Sequence, residues 1–417
     1  MPSSQNPTGA KTLRVAIIGG GIGGLTLALA LRKRGMAADV YEQAPELTEI
    51  GAAVALSANS TRELERLGFL ERLAAVSTLP TQLIYRGWRD DRPIAAFDVG
   101  DSYVKRFGAP YFGIHRADLQ RILSSGLAAA ELHLGHRLVN MTDQGDTIGL
   151  EFANGHSTQA DLVVGADGVR SSVRRFVTGG DDTVYSGTTA FRGIVPVERL
   201  PSLPDPRAIQ FWMGPNAHLL HYAIGGAADS VNFFAVVEGP PVWTHGERWL
   251  AEVEEGQHMA AFKGWHPAVT EMIDAVPHSV SWGLFGVRPL LRWHRGRAVL
   301  LGDSAHGMLP HHGQGANTTI EDAITLAELL AGMRADELDA TLRHYQQLRR
   351  TRTRKIQRSS WVTNHLLHLP DGPELQERDK KVMAFPDRFG WIHEFDALKS
   401  VSQAGSVERE GAALRAQ

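Results

Sequence analysis

Three features are missing from this 417-residue sequence, and each absence excludes a class of protein. It contains no cysteine, which rules out disulfides, thiol catalysis and cysteine-ligated zinc, and which fits a reducing compartment. No apolar run approaches the roughly 18 residues of a transmembrane helix, and the polar start lacks a signal-peptide core. The formal net charge of −3 gives no general electrostatic reason to bind nucleic acid or an anionic membrane. We therefore expect a cytoplasmic globular protein.

What the sequence does contain is a nucleotide-binding pattern near its start. Residues 13–18 are mostly apolar and β-rich, as expected of a strand buried on both faces, and Gly19, Gly21 and Gly24 follow in G-x-G-x-x-G spacing. The first glycine permits a tight turn, the second lets backbone approach a pyrophosphate, and the third lets the helix pack on the strand. The predicted helix then directs its N-terminal N–H groups toward phosphate.

An acidic residue ends the second strand of this unit. Glu42 lies roughly 20 residues beyond the glycines, where a carboxylate binds the ribose hydroxyls of a dinucleotide. Gln43 beside it suits a ribose without a 2′-phosphate, so the tightly bound nucleotide is predicted to be FAD or NAD rather than NADP. Taken alone, this unit leaves open a glycine-rich βα turn in an unrelated α/β protein.

Two later segments repeat the pattern of a buried strand, an acid and glycine-rich backbone. Asp167 and Gly168 follow one strand, where Asp167 could alternatively be a plain helix N-cap. Asp303 follows another strand, and a glycine-rich loop leads from it to a long predicted helix. These segments indicate three ligand-facing elements in one chain.

Two further positions give weaker signals of a ligand. Ala53 lies in a run of small residues, 50–60, which indicates either backbone close to a ligand or ordinary loop packing. Arg116 stands at the start of a predicted helix, an unfavourable place for a cation beside the helix dipole. It therefore indicates either an anionic partner or a surface salt bridge.

The middle of the chain has a different sequence pattern from the nucleotide-binding segments. Residues 184–286 contain β-like runs, proline-rich turns and one predicted helix at 247–262, which indicates an inserted antiparallel sheet. A last helix, about 336–369, is basic from 343 to 358, which we interpret as a solvated face rather than a nucleic-acid patch. The predicted organisation is a disordered lead-in (1–12), a nucleotide-binding domain (13–183 and 287–370, with strands in 80–110 on the substrate side), a substrate domain (184–286) and a C-terminal segment (371–417).

Taken together, the motifs at 19–24, 165–168 and 302–303 resemble the single-component (class A) FAD-dependent aromatic hydroxylases, particularly their salicylate hydroxylase branch. The resemblance covers about residues 13–370. It implies an α/β fold in which a Rossmann-like FAD-binding domain carries an inserted antiparallel-sheet substrate domain and a C-terminal helix. It also implies that FAD, NADH or NADPH, and O₂ hydroxylate a phenolic aromatic acid, resembling salicylate, hydroxybenzoate or aminohydroxybenzoate, through a flavin hydroperoxide.

The resemblance further implies which residues contact the cofactor. The loop 310–317 would face the isoalloxazine. This chain departs from the family pattern at Gly286, where relatives usually have an acid, and at Val169-Arg170, so the choice between NADH and NADPH stays open. The implied FAD contacts are Gly19, Gly21, Gly23, Gly24, Glu42, Gln43, Ala53, Arg116, Asp167, Gly168, Asp303, Pro310, Gly313, Gly315, Ala316 and Asn317.

A strand in the inserted sheet supplies candidate catalytic residues. His218 and Tyr222 fall on one face of the strand 216–222, because alternate residues share a face. Such a pair suits binding and deprotonating a phenol, with His218 as base and Tyr222 as companion; a polar patch on an exposed face is the alternative. His311 is the second-choice substrate contact, and Arg192 is a candidate for binding a substrate carboxylate. No metal site is predicted, because the histidines at 306, 311 and 312 lack i, i+4 helix spacing.

Parts of the sequence are also compatible with other functions. A flavoprotein monooxygenase or oxidase of the same fold could act on a larger polyketide-like or alkaloid-like substrate. An NAD-dependent dehydrogenase is less compatible with the two later motifs, and a nucleotide-sensing interaction protein is supported only by the basic last helix. The expected partners are a small aromatic substrate and O₂, without nucleic acid or membrane, for a monomer or homodimer.

Overall fold

The computed structural model describes residues 13–47, 53–180, 182–246, 248–276, 280–331 and 333–404, so the predicted lead-in at 1–12 lies outside the described residues. In chain order the strands are β1 (Val15–Ile18), β2 (Ala38–Tyr41), β3 (Ala53–Leu56), β4 (Gln82–Gly87), β5 (Pro93–Asp98), β6 (Phe112–His115), β7 (Leu132–His133), β8 (Leu138–Asp143), β9 (Ile148–Phe152), β10 (Ser157–Ala160), β11 (Leu162–Gly165), β12 (Thr183–Pro196), β13 (Ile209–Gly214), β14 (Ala217–Ile224), β15 (Ser230–Glu238), β16 (Leu250–Glu252), β17 (Val280–Val287), β18 (His294–Arg295) and β19 (Ala298–Leu300). The α-helices are α1 (Ile22–Lys33), α2 (Ala58–Arg66), α3 (Leu70–Ala74), α4 (Asp101–Phe107), α5 (Arg116–Ser124), α6 (Ser172–Thr178), α7 (Gln257–Ala261), α8 (Pro267–Asp274), α9 (Asp303–His306), α10 (Gly315–Leu330), α11 (Leu338–Leu367), α12 (Glu374–Met383) and α13 (Phe385–His393).

A six-stranded, mostly parallel sheet carries the nucleotide-binding motifs. Its order is β18-β19-β11-β1-β2-β7, with the edge strand β18 antiparallel to β19. The strands β1 and β11 are buried at every residue, which explains their continuous apolar sequence. The motif glycines and acids follow β1, β2, β11 and β19, so these residues gather beyond the carboxyl ends of neighbouring strands, where ligands bind in open α/β sheets.

An eight-stranded, mostly antiparallel sheet faces the nucleotide-binding part. Its order is β16-β17-β12-β15-β14-β13-β4-β5, and the pair β13 and β4 is parallel. The strands β4 and β5, which come from residues 80–110, join those of the predicted insert. This sheet, the parallel sheet and the long α11 confirm the predicted fold class.

Two details of the predicted secondary structure are wrong. The predicted helix 247–262 is instead the strand β16 and the short helix α7, because β16 pairs with the edge of β17 and Gly256 has a left-handed backbone (φ +77°). The sequence also predicts that residues 132–138 form one strand of a β-meander, but they are divided between β7, which extends the parallel sheet, and β8, which begins a three-stranded meander with β9 and β10.

The basic stretch of α11 is partly buried in ion pairs. Arg349 contacts Glu321 and Asp322 of α10 at 2.6 Å each, and Arg352 contacts Glu321 at 2.7 Å. Burial alone would raise the pKa of Glu321, but Arg352 and Arg349 outweigh it and lower that pKa. Part of the basic run therefore stabilises the helix pair rather than facing solvent.

The segment after residue 370 forms two helices that pack against the eight-stranded sheet. Val382 and Phe385 share an apolar cluster with Tyr85 and Phe211 of β4 and β13. The 30-residue α11 leads into them, and neither it nor any other helix in the described ranges combines the length and apolarity needed to cross a membrane.

Candidate active site

The turn between β1 and α1 has the backbone that phosphate binding requires. Gly19 has φ +112°, and a Cβ there would lie 2.3 Å from the Ala166 carbonyl oxygen. A Cβ on Gly24 would lie 2.0 Å from the Gly19 carbonyl oxygen, so the helix packs directly on the turn. At Gly21, by contrast, no described atom lies within 4 Å of a Cβ position. The turn is thus closed on the protein side and open toward a cavity.

Glu42 sits at one end of this cavity with its carboxylate already oriented. Its Oε2 accepts a hydrogen bond from the Gly20 backbone N–H at 2.7 Å, and its Oε1 accepts one from the Ala44 N–H at 2.9 Å. Each oxygen keeps a lone pair for a further donor. Glu42 is therefore held in a position to accept the hydroxyls of a ribose, with Gln43 beside it on the cavity wall.

Two cavities together form an extended slot, which we call the dinucleotide slot. One, of about 530 Å³, contains Glu42; the other, of about 350 Å³, reaches the eight-stranded sheet. They share Gly21, Arg116, Ala166 and Gly168, so Arg116 lies where the two halves meet, at the start of α5 as predicted. Predicted cofactor residues along the second half are Gly21, Gly23, Ala53, Arg116, Gly168, Asp303, Pro310, Gly313, Gly315 and Ala316.

The two later motif acids have different surroundings. The Asp167 carboxylate accepts hydrogen bonds from the Ser171 hydroxyl and the Ser172 backbone N–H, so it caps the start of α6 while also lining the slot. Asp303 lines the inner half of the slot, and burial raises its pKa against the opposing effect of His306 and Arg116. Asp303 is therefore the acid better placed to bind a polar chain.

The loop 310–317 is held from behind by Asn317. Its side-chain amide donates to the carbonyls of Ala55 (2.9 Å) and Gly313 (2.6 Å), and its Oδ1 accepts the Ser57 N–H at 2.9 Å. Asn317 and Gly24 thus shape the slot without lining it, whereas Pro310, Gly313 and Gly315 form its wall.

The slot fits an extended dinucleotide such as FAD. A fixed carboxylate suits the ribose, the open space at Gly21 suits the pyrophosphate beside the Arg116 guanidinium, and the loop 310–317 offers backbone to a flat ring system. No group of three or more metal-ligand side chains occurs in the described part of the chain. The arrangement therefore favours a nucleotide cofactor.

A second, aromatic cavity of about 490 Å³ opens from the inner end of the slot. It meets the slot at Ala55, Leu220, Tyr222 and Gly313, which line both spaces. Its walls come from β4, β13, β14, α4 and α13. The aromatic residues that line it are Tyr85, Phe97, Tyr103, Phe107, Tyr111, Phe211, Tyr222, Phe385 and Phe389.

Two side chains bring hydrogen-bonding groups to the junction of the aromatic cavity and the slot. Burial raises the pKa of Tyr222, so its phenol stays protonated and can donate. His311 is buried, and neither of its ring nitrogens has a hydrogen-bond partner among the described residues. Burial, with His368 and His312 nearby, holds the pKa of His311 well below its usual range, so it is neutral and can accept a hydrogen bond from a bound hydroxyl.

His218 lies one ring behind the cavity wall. It is on the same face of β14 as Tyr222, as predicted, but it does not line either space; its ring contacts that of His311 at a centroid distance of 5.1 Å. Its Nδ1 lies 2.7 Å from the Nε2 of His368. The structure therefore brings His311, the predicted second choice, closer to a bound ring than His218.

Two arginines that could bind a substrate carboxylate, Arg192 and Arg106, line different spaces. Arg192 lines the slot, with its guanidinium 4.4 Å from the Trp282 ring, whereas Arg106 is the cation among the described residues that line the aromatic cavity. Arg106, His393 and the walls from α13 were not among the predicted site residues, and a run of aromatics at 385–391 was the available signal for them. The Tyr103 hydroxyl oxygen lies 2.7 Å from His393 Nδ1 and accepts the Ala58 N–H at 3.0 Å.

The chain is similar in sequence and in fold to known proteins. The sequence profile of the family described as FAD binding domain matches residues 12–360. The chain is 40% identical to a 3-amino-4-hydroxybenzoate 2-monooxygenase of Streptomyces platensis, over 92% of this chain and 96% of that protein. It is 34% identical to a 6-hydroxynicotinate 3-monooxygenase of Pseudomonas fluorescens, over 86% of this chain and 91% of that protein. A solved salicylate hydroxylase substrate complex has a TM-score of 0.81 at 28% identity, over 94% of this chain and 97% of that one.

Proposed function

The chain belongs to the FAD binding domain family, as an FAD-dependent aromatic-ring monooxygenase of class A, and from this premise we propose that it hydroxylates a phenolic aromatic acid. The aminohydroxybenzoate type is the first candidate, because a relative of that activity covers nearly the whole chain. Salicylate, other hydroxybenzoates and hydroxypyridine acids follow. NADH or NADPH acts as the reductant, and the choice between them is open.

One observation carries the proposal: an aromatic-walled cavity meets the dinucleotide slot beside Tyr222 and the neutral His311. When bound in the slot and reduced, FAD supplies the activated oxygen. The protein's task is then to hold a ring at the junction, exclude water and increase the electron density of that ring. A cavity lined by nine aromatic side chains suits a flat, apolar ring with polar groups at its edge.

The residues at the junction have complementary roles toward a phenol. Tyr222 donates a hydrogen bond to the phenol oxygen, and His311 accepts the phenol proton on an unpaired ring nitrogen. A phenolate attacks an electrophilic oxygen far more readily than a phenol does. His218, which contacts His311, assists this transfer from behind the wall.

The position of the substrate carboxylate decides which way the ring points. Arg106 would bind it at the outer end of the aromatic cavity, with the phenol then directed to His311. Arg192 would instead bind a carboxylate at the slot end. We propose that Arg106 binds the carboxylate, because a charge-assisted pair there directs the substrate hydroxyl to His311. Among the described residues that line this cavity, His311 has the only buried imidazole without a hydrogen-bond partner.

The test is the rate of NADH- or NADPH-dependent flavin reduction, measured in stopped flow with and without a panel of hydroxy- and aminohydroxybenzoates, hydroxypyridine acids and larger bicyclic phenols. Many-fold acceleration by a single-ring phenolic acid, with formation of a hydroxylated product, is expected. Fast reduction without any aromatic compound, or a response restricted to the bicyclic compounds, would contradict the proposal.

A variant links this activity to the junction. His311→Ala should lower hydroxylation by about a hundred-fold, the usual scale for loss of a general base. His156→Ala, on an exposed turn of the β-meander, is the matched control and should leave the rate unchanged. The proposal also includes a cytoplasmic location, action as a monomer or homodimer, and independence from nucleic acid.

A further inference from the structure

A line of hydrogen-bonded groups leads from His218, one ring behind the wall of the aromatic cavity, to the protein surface. His218 Nδ1 lies 2.7 Å from His368 Nε2, and His368 Nδ1 lies 2.7 Å from Glu238 Oε1. His218 and His368 are buried, at 1% and 4% exposure, whereas the Glu238 side chain is 49% exposed. At the inner end, the His218 ring contacts the ring of the cavity-lining His311.

The line comes from three separate parts of the fold. His218 is on β14, Glu238 ends the neighbouring β15, and His368 is the residue that follows α11. The backbone fixes this junction as well, because the Asn216 N–H donates to the His368 carbonyl at 3.0 Å and the Glu238 N–H donates to the Asn216 carbonyl at 2.9 Å. These backbone hydrogen bonds therefore fix the positions of the three side chains relative to one another.

The hydrogen-bond pattern sets the position of each proton. The Glu238 carboxylate accepts only, so neutral His368 carries its proton on Nδ1 and presents Nε2 as an acceptor. His218 must then donate from its own Nδ1, which leaves its Nε2 as the basic nitrogen. Each imidazole is thus arranged to gain a proton on its Nε2 and to release one from its Nδ1.

On the basis of the proposed hydroxylase function, we propose that His218, His368 and Glu238 form a proton relay that carries the phenol proton from the aromatic cavity to solvent. His311 or a water beside it passes the proton to His218 Nε2. His218 releases its Nδ1 proton to His368 Nε2, His368 releases its Nδ1 proton to Glu238, and Glu238 exchanges with water. One proton enters and one leaves, which leaves each imidazole protonated on Nε2 instead of Nδ1, and both rings return to the starting tautomer before the next proton passes. His368 and Glu238 act through His218 and are positioning residues.

The relay answers a problem that burial creates. A proton taken up by His311 leaves a charged imidazolium in a site where burial disfavours charge, so it must leave before another phenol can ionise. The exposed carboxylate at the outer end is the group of this line that can exchange protons with bulk water. Two other titratable groups face the relay. They are His312, which lies next to His311, and Tyr185, which interacts with Glu238.

The experiment follows ionisation of a bound phenol directly. The FAD-loaded enzyme is mixed with a chromophoric substrate analogue, 4-hydroxy-3-nitrobenzoate, and the phenolate absorbance is recorded in stopped flow after a pH jump, without NADH or NADPH. Glu238→Gln preserves the hydrogen bond from His368 but cannot take up the proton. We expect it to slow ionisation by about ten-fold or more while leaving the Kd of the analogue and the flavin spectrum unchanged.

Two controls separate a relay from a structural role. Glu252→Gln, an exposed acid on β16 of the same sheet, should ionise the analogue at the wild-type rate. In Glu238→Ala, adding acetate should restore the rate in proportion to its concentration, because a small base replaces the missing acceptor, whereas a misplaced His368 would not be rescued.

The outcomes distinguish this inference from the proposed function. Wild-type ionisation rates in both Glu238 variants would overturn the relay even if hydroxybenzoates stimulate flavin reduction. A slowed rate without rescue by acetate would also overturn it, in favour of a purely structural contact. If no phenolic acid stimulates flavin reduction while the analogue still ionises through Glu238, the proposed substrate class fails and the relay stands.

Discussion

Replacing Gly21 with alanine separates cofactor binding from folding more cleanly than any other change in the dinucleotide slot. No described atom lies within 4 Å of the added methyl group, so the fold accommodates it. Gly21 precedes α1 with φ −73° and ψ −177°, a conformation open to alanine. Alanine is a poorer helix N-cap, at a cost of up to about 1 kcal/mol, but it also reduces unfolded-chain entropy by about 0.4–1 kcal/mol. We expect apoprotein stability to change by less than about 1 kcal/mol.

The same methyl group projects into the space where phosphate must approach the backbone. Loss of one charge-assisted N–H contact costs about 1.5–3 kcal/mol. The Kd for FAD should therefore rise by about ten- to a hundred-fold. Quenching of flavin fluorescence on titration of the apoprotein measures this Kd, and urea unfolding of the same apoprotein measures the free energy of unfolding.

Gly24→Ala is the matched comparison, because it lies in the same motif but faces the protein. Its methyl group would lie 2.0 Å from the Gly19 carbonyl oxygen, well inside van der Waals contact. Such overpacking against backbone costs about 1–3 kcal/mol or more, so this variant should lose stability as an apoprotein. Unchanged FAD affinity in Gly21→Ala, or equal loss of stability in both variants, would refute the assignment of the open face to the cofactor.

Three further predictions concern other parts of the structure. Arg106→Gln should raise the KM for phenolic acids about ten-fold or more in steady-state assays while leaving that for phenols without a carboxylate unchanged; an equal change for both would contradict the proposed carboxylate contact. Glu321→Ala leaves two buried arginines short of a partner and should cost about 3–5 kcal/mol in urea unfolding. Burial lowers the pKa of His221 to about 3 and that of His312 and His393 to about 4, so these residues fold neutral. The contribution of these neutral histidines to the free energy of unfolding is complete above pH 6.5. It is lost as the pH falls towards 4, at up to about 1.4 kcal/mol per site and pH unit. A free energy of unfolding that stays constant between pH 6.5 and 4.5 would show that these side chains are solvated.

The nucleotide-binding half could be predicted because its signals are local. Each motif combines a strand, a turn glycine and an acid within a short stretch, and the parallel sheet then brings the ends of these strands together. Glu42 illustrates this: its distance from Gly19 in the sequence predicts a place beside the glycine turn, and the structure places it there, at one end of the slot. The wrong helix at 247–262 illustrates the converse, since pairing with β17 overrode the local helical preference.

The substrate side could not be predicted to the same depth, because its contacts join distant parts of the chain. His218 and Tyr222 were correctly placed on one face of a strand, but the period-2 pattern does not show how deeply each lies. The hydrogen bond from His218 to His368 spans 150 residues, and nothing in the local sequence of either residue indicates it. The aromatic run at 385–391 indicates apolar packing, but for the same reason it does not show that Phe385 and Phe389 line this cavity.

Helix α13 lines the aromatic cavity but not the dinucleotide slot, so the two spaces can change independently in evolution. The dinucleotide slot is lined by residues up to Thr319, whereas the aromatic cavity also depends on residues 385–393. Changes in this late segment can reshape the space for the ring without disturbing any residue that lines the slot. Divergence in substrate choice among chains that share the same flavin chemistry is thus expected to concentrate there. A chimera that exchanges only this segment with a relative of different specificity offers a short route to an altered substrate range.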